Sequence, residues 1–296
     1  MNKSIKVSSE KIKEIIDYYN AYQKECSDIN KLFEAKTENV SVTIYNNNTV
    51  FFQGKDALLE VSKWDTYSGY LDSHIGSDEV GCGDYLAPIV VCASYVKKED
   101  INYLLEIGVK DSKQLNDTKI QEIFEHIKDR IAYAYFVLSN EKYNELINKG
   151  YNLNKIKAYL HNFVLYNLVK KTNFSSKIVV DDFCGESLYY RYLSSYDNSK
   201  IQKNITFETK AENKYLAVAC GSIIARHYFI EEINKINTSL DSNIPLGASS
   251  KVDDYAKQMV LKYGTDFLLK YSKYHFKNTE KVLGKEGEGS QFKFDF

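Results

Sequence analysis

The chain has 296 residues, 44% of them hydrophobic and 27% charged, with a formal net charge of -1 at pH 7. That length suits two domains of unequal size, each able to bury a core, and no uninterrupted apolar run approaches the roughly 18 residues of a membrane-spanning helix. Near-neutrality removes one argument for a nucleic-acid partner without excluding it, because basic residues can gather on one face while acidic ones gather elsewhere.

The N-terminal segment MNKSIKVSSEKIKEII lacks the apolar core of a signal peptide, so a cytoplasmic location is expected. From Ser8 to about Ala35 the apolar residues Ile12, Ile15, Ile16, Tyr19 and Tyr22 fall at helical spacing, which predicts one long amphipathic helix or two shorter ones. VSVTIY (Val40 to Tyr45), a polar turn at Asn46 to Asn48 and TVFFQ (Thr49 to Gln53) form a hairpin signal, and Lys55 to Trp64 returns to helix. Residues 1–66 thus read as a small separate domain, and YSGYLDS, residues 67–73, as a linker.

A different pattern starts at His74. HIGSDEV reads as a strand, GCGDYLAP as a Gly-rich turn and IVVCASYV as a fully apolar strand of the kind covered on both faces. Helices are expected around Glu99 to Ile107 and Asn116 to Ile127, then a third strand at Ile131 to Leu138, which suggests an antiparallel meander. A long helix at Asn154 to Lys171, short strands at Lys177 to Val180 and Ile205 to Thr209, and a long helix from Glu212 to Ile236 complete an α/β domain at residues 74–283 with a mixed sheet flanked by helices. Residues 284–296 read as a flexible tail.

Chemistry concentrates in IGSDEVGCGDYLAP, where Asp78 and Glu79 end an apolar strand and run into Gly81 and Gly83. Neighbouring strand residues point to opposite faces, so the two acids need not be redundant; solvated strand-end residues are the plainer alternative. Asp181 follows KIVV at the end of another buried strand, and it is preferred over Asp182 because it directly continues the apolar run, although both could be a simple turn signal. Glu212 opens a helix rich in small residues, where an acid is also favoured by the helix dipole alone. Brought together, Asp78, Glu79, Asp181 and Glu212 would repel prohibitively without cations. Two Mg²⁺ or Mn²⁺ ions about 4 Å apart would supply the missing charge and suit phosphodiester hydrolysis.

At these residues the sequence resembles the type 2 ribonucleases H, most closely the ribonuclease HIII group. The resemblance rests on DEVGCGD, GVKDSKQL (Gly108 to Leu115), IVVDDF, KAENKYLAVACGSIIAR, PLGASSKVDDYA and YHFKNTEK, in order from about residue 74 to 283. Glu212 at the last acid, where the HII group carries Asp, and the N-terminal extension favour HIII. In that group the extension resembles a TATA-binding-protein fold and helps grip the substrate; Val40 to Val61 looks like it, though the segment up to Asp65 has no basic surplus. The resemblance implies a ribonuclease H-like catalytic fold and an endonuclease that cuts the RNA strand of RNA/DNA hybrids, leaving 5'-phosphate and 3'-hydroxyl ends. It implies the four acids as catalytic metal ligands, and no membrane or obligatory protein partner; a monomer is expected.

It further implies that the backbone of Gly81, Cys82 and Gly83 reads the RNA 2'-hydroxyl. Cys82 stands where the HII group has Arg; backbone recognition tolerates it, and no His partner supports a nucleophilic thiol. The five cysteines, odd in number and without a CxxC pair, suggest reduced thiols. Ser112 and Lys113 are candidate phosphate contacts, as are Asn152, Asn154 and Lys155 at a helix start and Ser249 and Ser250 in GASS, with surface lysine and ordinary capping as the alternatives. Rival functions are excision of single ribonucleotides from DNA, as in the HII group, and hybrid binding without catalysis. A dinucleotide-binding loop fails because Leu86 occupies the position of the third glycine of GxGxxG.

Overall fold

The structure is a computed structural model that describes residues 2–7, 9–26, 28–64, 70–109 and 115–284. The chain divides into two compact units, Met1–Ser68 and Gly69–Phe296.

In the first unit, β1 (Asn2–Lys6), β2 (Lys31–Lys36), β3 (Val40–Tyr45) and β4 (Thr49–Gly54) form an antiparallel sheet in the order β1-β4-β3-β2. The hairpin expected from alternation is β3 and β4: Val42 pairs with Phe52 and Ile44 with Val50, all four fully buried, and Asn48 turns the chain at φ 64°. Helices α1 (Ser9–Tyr19) and α2 (Ala57–Trp64) cover the buried face, α1 through Ile12, Ile15 and Tyr19, whose ring meets Trp64. The expectation of helix from Ser8 to Ala35 is corrected. Helix ends at Tyr19, a 3₁₀ turn follows at Asn20–Tyr22, and Phe33 and Ala35 face the core from a strand. Their period of two, with Glu34 outside between them, is what a one-sided strand requires.

The second unit is built on β5 (His74–Val80), β6 (Ile89–Val96), β7 (Ala132–Leu138), β8 (Ile178–Asp181) and β9 (Ile205–Glu208), in the order β7-β6-β5-β8-β9. The first three strands form the expected antiparallel meander, and β8 and β9 run parallel to β5. Around the sheet lie α3 (Ile101–Glu106), α4 (Asp117–Ile127), α5 (Asn140–Asn148), α6 (Leu153–Thr172), α7 (Glu186–Tyr192), α8 (Leu216–Leu240), α9 (Ser250–Tyr263), α10 (Asp266–Tyr271) and α11 (Lys277–Leu283). This ribonuclease H-like mixed sheet flanked by helices, preceded by a small α+β unit, is the fold class expected from the sequence.

Side-chain alternation on β5 assigns its two faces. Gly76 lies under α8, where an added Cβ would meet the Val218 backbone nitrogen at 2.3 Å, while Ser77 faces α6. The start of α8 is tied down by His74, fully buried, whose Nε2 accepts from the Ala217 N–H at 3.0 Å, one of the donors that a helix N-terminus leaves without an intrahelical partner. Its Nδ1 is 2.7 Å from the Asp72 carbonyl oxygen, and burial holds the imidazole down to about 4, in the neutral form that can both donate and accept.

Candidate metal centre

Strand β5 runs into parallel register with β8 through Ser77 and Val180, so Asp78 and Asp181 are the next residues on adjacent strands. Asp78 leaves β5 on the α8 side, where Ser222 hydrogen-bonds its carboxylate, and its Oδ1 accepts from the Glu79 N–H at 2.8 Å. Burial pushes the Asp78 carboxyl up to about 7; the charges of Glu79 and Asp181 push the same way, and the hydrogen bonds oppose them. These three carboxyls therefore sense one another. Asp181 Oδ1 accepts from the Ala211 N–H at 2.9 Å, which anchors the turn carrying Glu212 against β8. Asp182 turns elsewhere, its Oδ1 accepting from the N–H groups of Cys184 at 3.1 Å and Gly185 at 2.6 Å in a tight turn.

Glu212 is buried, but it is not in the first turn of the long helix. It sits on a 3₁₀ turn, Ala211–Asn213, entered through Lys210 at φ 55°, and α8 starts only at Leu216. The expected helix start at Glu212 is corrected accordingly.

Glu79 leaves β5 on the opposite face and meets α6. Lys157 Nζ stands 2.5 Å from its Oε1, and His161 Nε2 is 2.8 Å from its Oε2. Burial alone would raise this carboxyl, but the His161 hydrogen bond and charge, with Lys157, hold it down to about 2. Neither partner was singled out from the sequence. The signal was present as a Lys and a His one turn apart on a helix face otherwise occupied by Ile156, Leu160 and Val164.

All four carboxylates offer the hard oxygen donors that Mg²⁺ or Mn²⁺ takes, so the donor chemistry of these residues fits such ions. Among the described residues no group of three or more His, Cys, Asp or Glu side chains stands arranged to hold a metal ion. The shared feature is a meeting of strand ends, with Glu79 engaged by α6.

The turn after β5 is held by backbone. Gly81 has φ 92°, and a Cβ there would lie 2.0 Å from the Pro88 carbonyl oxygen, whereas a Cβ on Gly83 would meet nothing within 4 Å. Burial pushes the Cys82 thiol up to about 12, which leaves it protonated and a poor nucleophile. Lys273, fully buried, donates from Nζ to the carbonyl oxygens of Ala87 and, at 2.6 Å, Asp84, and Tyr85 OH is 2.9 Å from Thr279 Oγ1. Asp84 Oδ1 accepts from the Gly247 N–H at 2.6 Å, which draws the loop before Ser249 and Ser250 beside this turn.

Asn152 caps α6 by accepting from the Lys155 N–H at 2.8 Å, Asn154 is partly buried in the first turn, and the Lys155 ammonium lies 3.9 Å from the Tyr151 ring centroid. Ser249 precedes α9 without a capping hydrogen bond from its side chain, and Ser250 opens it. Ser112 and Lys113 lie outside the described residues, as do residues 67–69 of the expected linker and residues 285–296 of the tail.

A sheet of this topology with acids at the ends of its first and fourth strands in chain order defines a ribonuclease H-like nuclease. A family model described as Ribonuclease HII matches residues 75–279, and one described as Domain of unknown function (DUF3378) matches residues 2–69. Ribonuclease HIII of Oceanobacillus iheyensis is 38% identical over 301 residues, covering 94% of this chain and 97% of that protein. The crystal structure of Bst-RNase HIII in complex with Mn²⁺ superimposes with a TM-score of 0.73 at 34% identity, covering 96% of this chain and 98% of that one. Aquifex aeolicus RNase H3 does so with a TM-score of 0.56 at 25% identity, covering 92% and 98%. The chain belongs to the ribonuclease HIII family, and it is an endoribonuclease of the ribonuclease H type with a divalent metal cofactor. No helix among the described residues is long and apolar enough to cross a membrane.

Proposed function

We propose that this chain hydrolyses the RNA strand of RNA/DNA hybrids, with Asp78, Glu79, Asp181 and Glu212 as the ligands of two Mg²⁺ or Mn²⁺ ions. The observation that supports the reading is the meeting of strand ends, where Asp78 and Asp181 follow the paired Ser77 and Val180 on adjacent strands and Asp181 Oδ1 accepts from the Ala211 N–H beside Glu212. Bound ions supply an activated water for attack at phosphorus and charge for the leaving 3'-oxygen, giving 5'-phosphate and 3'-hydroxyl ends.

The chain's own residues place the substrate. The backbone of Gly81, Cys82 and Gly83 faces the 2'-hydroxyl, the atom that separates RNA from DNA. Asn152, Asn154 and Lys155 at the head of α6, Ser249 and Ser250 at the head of α9, and Ser112 with Lys113 contact backbone phosphates and fix register without reading sequence. Residues 1–66 form the domain that grips the hybrid, residues 74–283 the catalytic domain, with the linker and tail at residues 67–73 and 284–296. The enzyme works as a cytoplasmic monomer that needs no protein partner.

The test is cleavage of labelled RNA/DNA hybrid, of DNA carrying one or several ribonucleotides, and of all-DNA duplex, with Mg²⁺ and then Mn²⁺. Asp78→Asn is expected to lower hybrid cleavage by at least about a thousandfold, or roughly 4 kcal/mol of barrier, while hybrid binding persists. Cleavage by that variant at the wild-type rate would refute the assignment, and cleavage only at single ribonucleotides would move the substrate to the HII type.

A further inference from the structure

We infer that His161, held in turn by Ser77, is the positioning residue for Glu79 and fixes its carboxylate before a cation binds. This inference rests on the reading of Glu79 as a metal ligand.

Ser77 and Glu79 are two residues apart on β5, so both side chains leave the strand on the α6 face, while Asp78 leaves on the other. The pleat therefore directs the two adjacent acids apart, and Glu79 needs a restraint to keep its carboxylate at the strand end. That restraint is a chain of hydrogen bonds. Ser77 Oγ is 2.8 Å from His161 Nδ1, and His161 Nε2 is 2.8 Å from Glu79 Oε2. An ionised carboxylate only accepts, so Nε2 carries the proton that is shared with Glu79, and the Ser77 hydroxyl pairs with Nδ1. The Phe183 ring, stacked on the imidazole at 5.3 Å between centroids, limits its rotation.

Serine, histidine and a carboxylate in this order resemble a nucleophile, its base and an orienting acid. Burial rules that use out. Ser77 and His161 are both 0% exposed, so no substrate reaches the hydroxyl. The arrangement instead resembles the outer partners that orient metal ligands and govern their affinity. A carboxylate has about four lone-pair positions. His161 and the Lys157 ammonium, 2.5 Å from Oε1, take one on each oxygen, which leaves the others for a cation.

The experiment measures binding of Mn²⁺ alone to the full-length metal-free protein, by the electron paramagnetic resonance signal of free Mn²⁺, with thermal melting to confirm folding. His161→Leu keeps bulk and removes both nitrogens; it is expected to weaken Mn²⁺ binding by about 10- to 100-fold. Cleavage by this variant should recover substantially at saturating Mn²⁺. His161→Gln, which keeps a donor, should restore part of the affinity. Ser77→Ala, which removes a single oxygen, should weaken binding less, and the Ser77→Ala, His161→Leu double variant should bind no more weakly than His161→Leu, because Ser77 acts only through the ring.

Glu79→Gln separates the two claims. If it leaves Mn²⁺ affinity unchanged, the ligand reading fails and this inference fails with it. If it weakens binding but His161→Leu does not, Glu79 remains a ligand and the positioning role is refuted. Additive losses from Ser77→Ala and His161→Leu, or a further loss from His161→Leu in the Glu79→Gln background, would also overturn the inference.

Discussion

Burial acts in opposite senses on two residues of β5. The His74 imidazole is pulled down to about 4, while the Asp78 carboxyl is pushed up to about 7. An unfolded His takes up a proton below roughly pH 6.5, so the neutral buried ring contributes its stability in full above that pH and loses it as the pH falls toward 4. For Asp78 the order is reversed. Its contribution to the metal-free fold is complete below roughly pH 4, where the unfolded chain is also protonated, and is lost as the pH rises through 7. Metal-free Asp78→Asn is therefore expected to melt above the wild type at pH 8, with the gap closing by pH 4, as scanning calorimetry would record; an equal gap at both pH values would contradict the assignment. His74→Leu should remove an acid-side dependence of up to about 3 kcal/mol between pH 6.5 and 4. It also leaves the Ala217 N–H without its acceptor, at about 1–3 kcal/mol.

At the level of elements, the seat of α8 on β5 is set by absent side chains. An added Cβ at Gly76 would run into the Val218 backbone, and one at Gly221 would come within 3.1 Å of the Cys92 carbonyl oxygen. Gly76→Val is expected to destabilise the second unit by roughly 3 kcal/mol or more, readable in urea unfolding, because backbone rather than a flexible side chain must move. Lys273→Met should leave two carbonyls of the turn after β5 without their donor and raise KM for the hybrid more than it lowers kcat.

Elements with a clean period were legible in the sequence. The β3–β4 hairpin alternates, β6, β7 and β8 are largely apolar runs, and β5, HIGSDEV, ends at a Gly-rich turn. Strand β1, NKSIK, has only Ile5 partly buried and gives no alternation to read, and β2 presents just Phe33 and Ala35 inward between charges. The start of α8 was misplaced because its N-cap, Tyr215, makes no capping hydrogen bond through its side chain. The acids themselves were legible as polar residues ending apolar strands. The grip on Glu79 was not, because a Lys and a His within an apolar helix face reveal their partner only once β5 is laid against α6.

For the molecule as a whole, each unit has its own core, with Ile15, Val42 and Phe52 in the first and Ile75, Val91 and Leu165 in the second. A chain of residues 69–296 is therefore expected to fold and to cleave, with KM for the hybrid raised on the order of tenfold or more and kcat changed far less, if the first unit has the gripping role proposed for it and only a tethered binding surface is lost. Steady-state kinetics on one hybrid length would check it, and an unchanged KM would remove the gripping role from the first unit.

The clasp on the turn after β5 joins distant stretches of the chain, Tyr85 to Thr279 and Asp84 to Lys273. During synthesis on the ribosome the four acids emerge well before the residues that brace the turn beside them. In the proposed reading, a nascent chain thus carries the acids assigned to hydrolysis long before the residues that brace the turn assigned to telling ribose from deoxyribose, and the two come together only when nearly all of the second unit has been made.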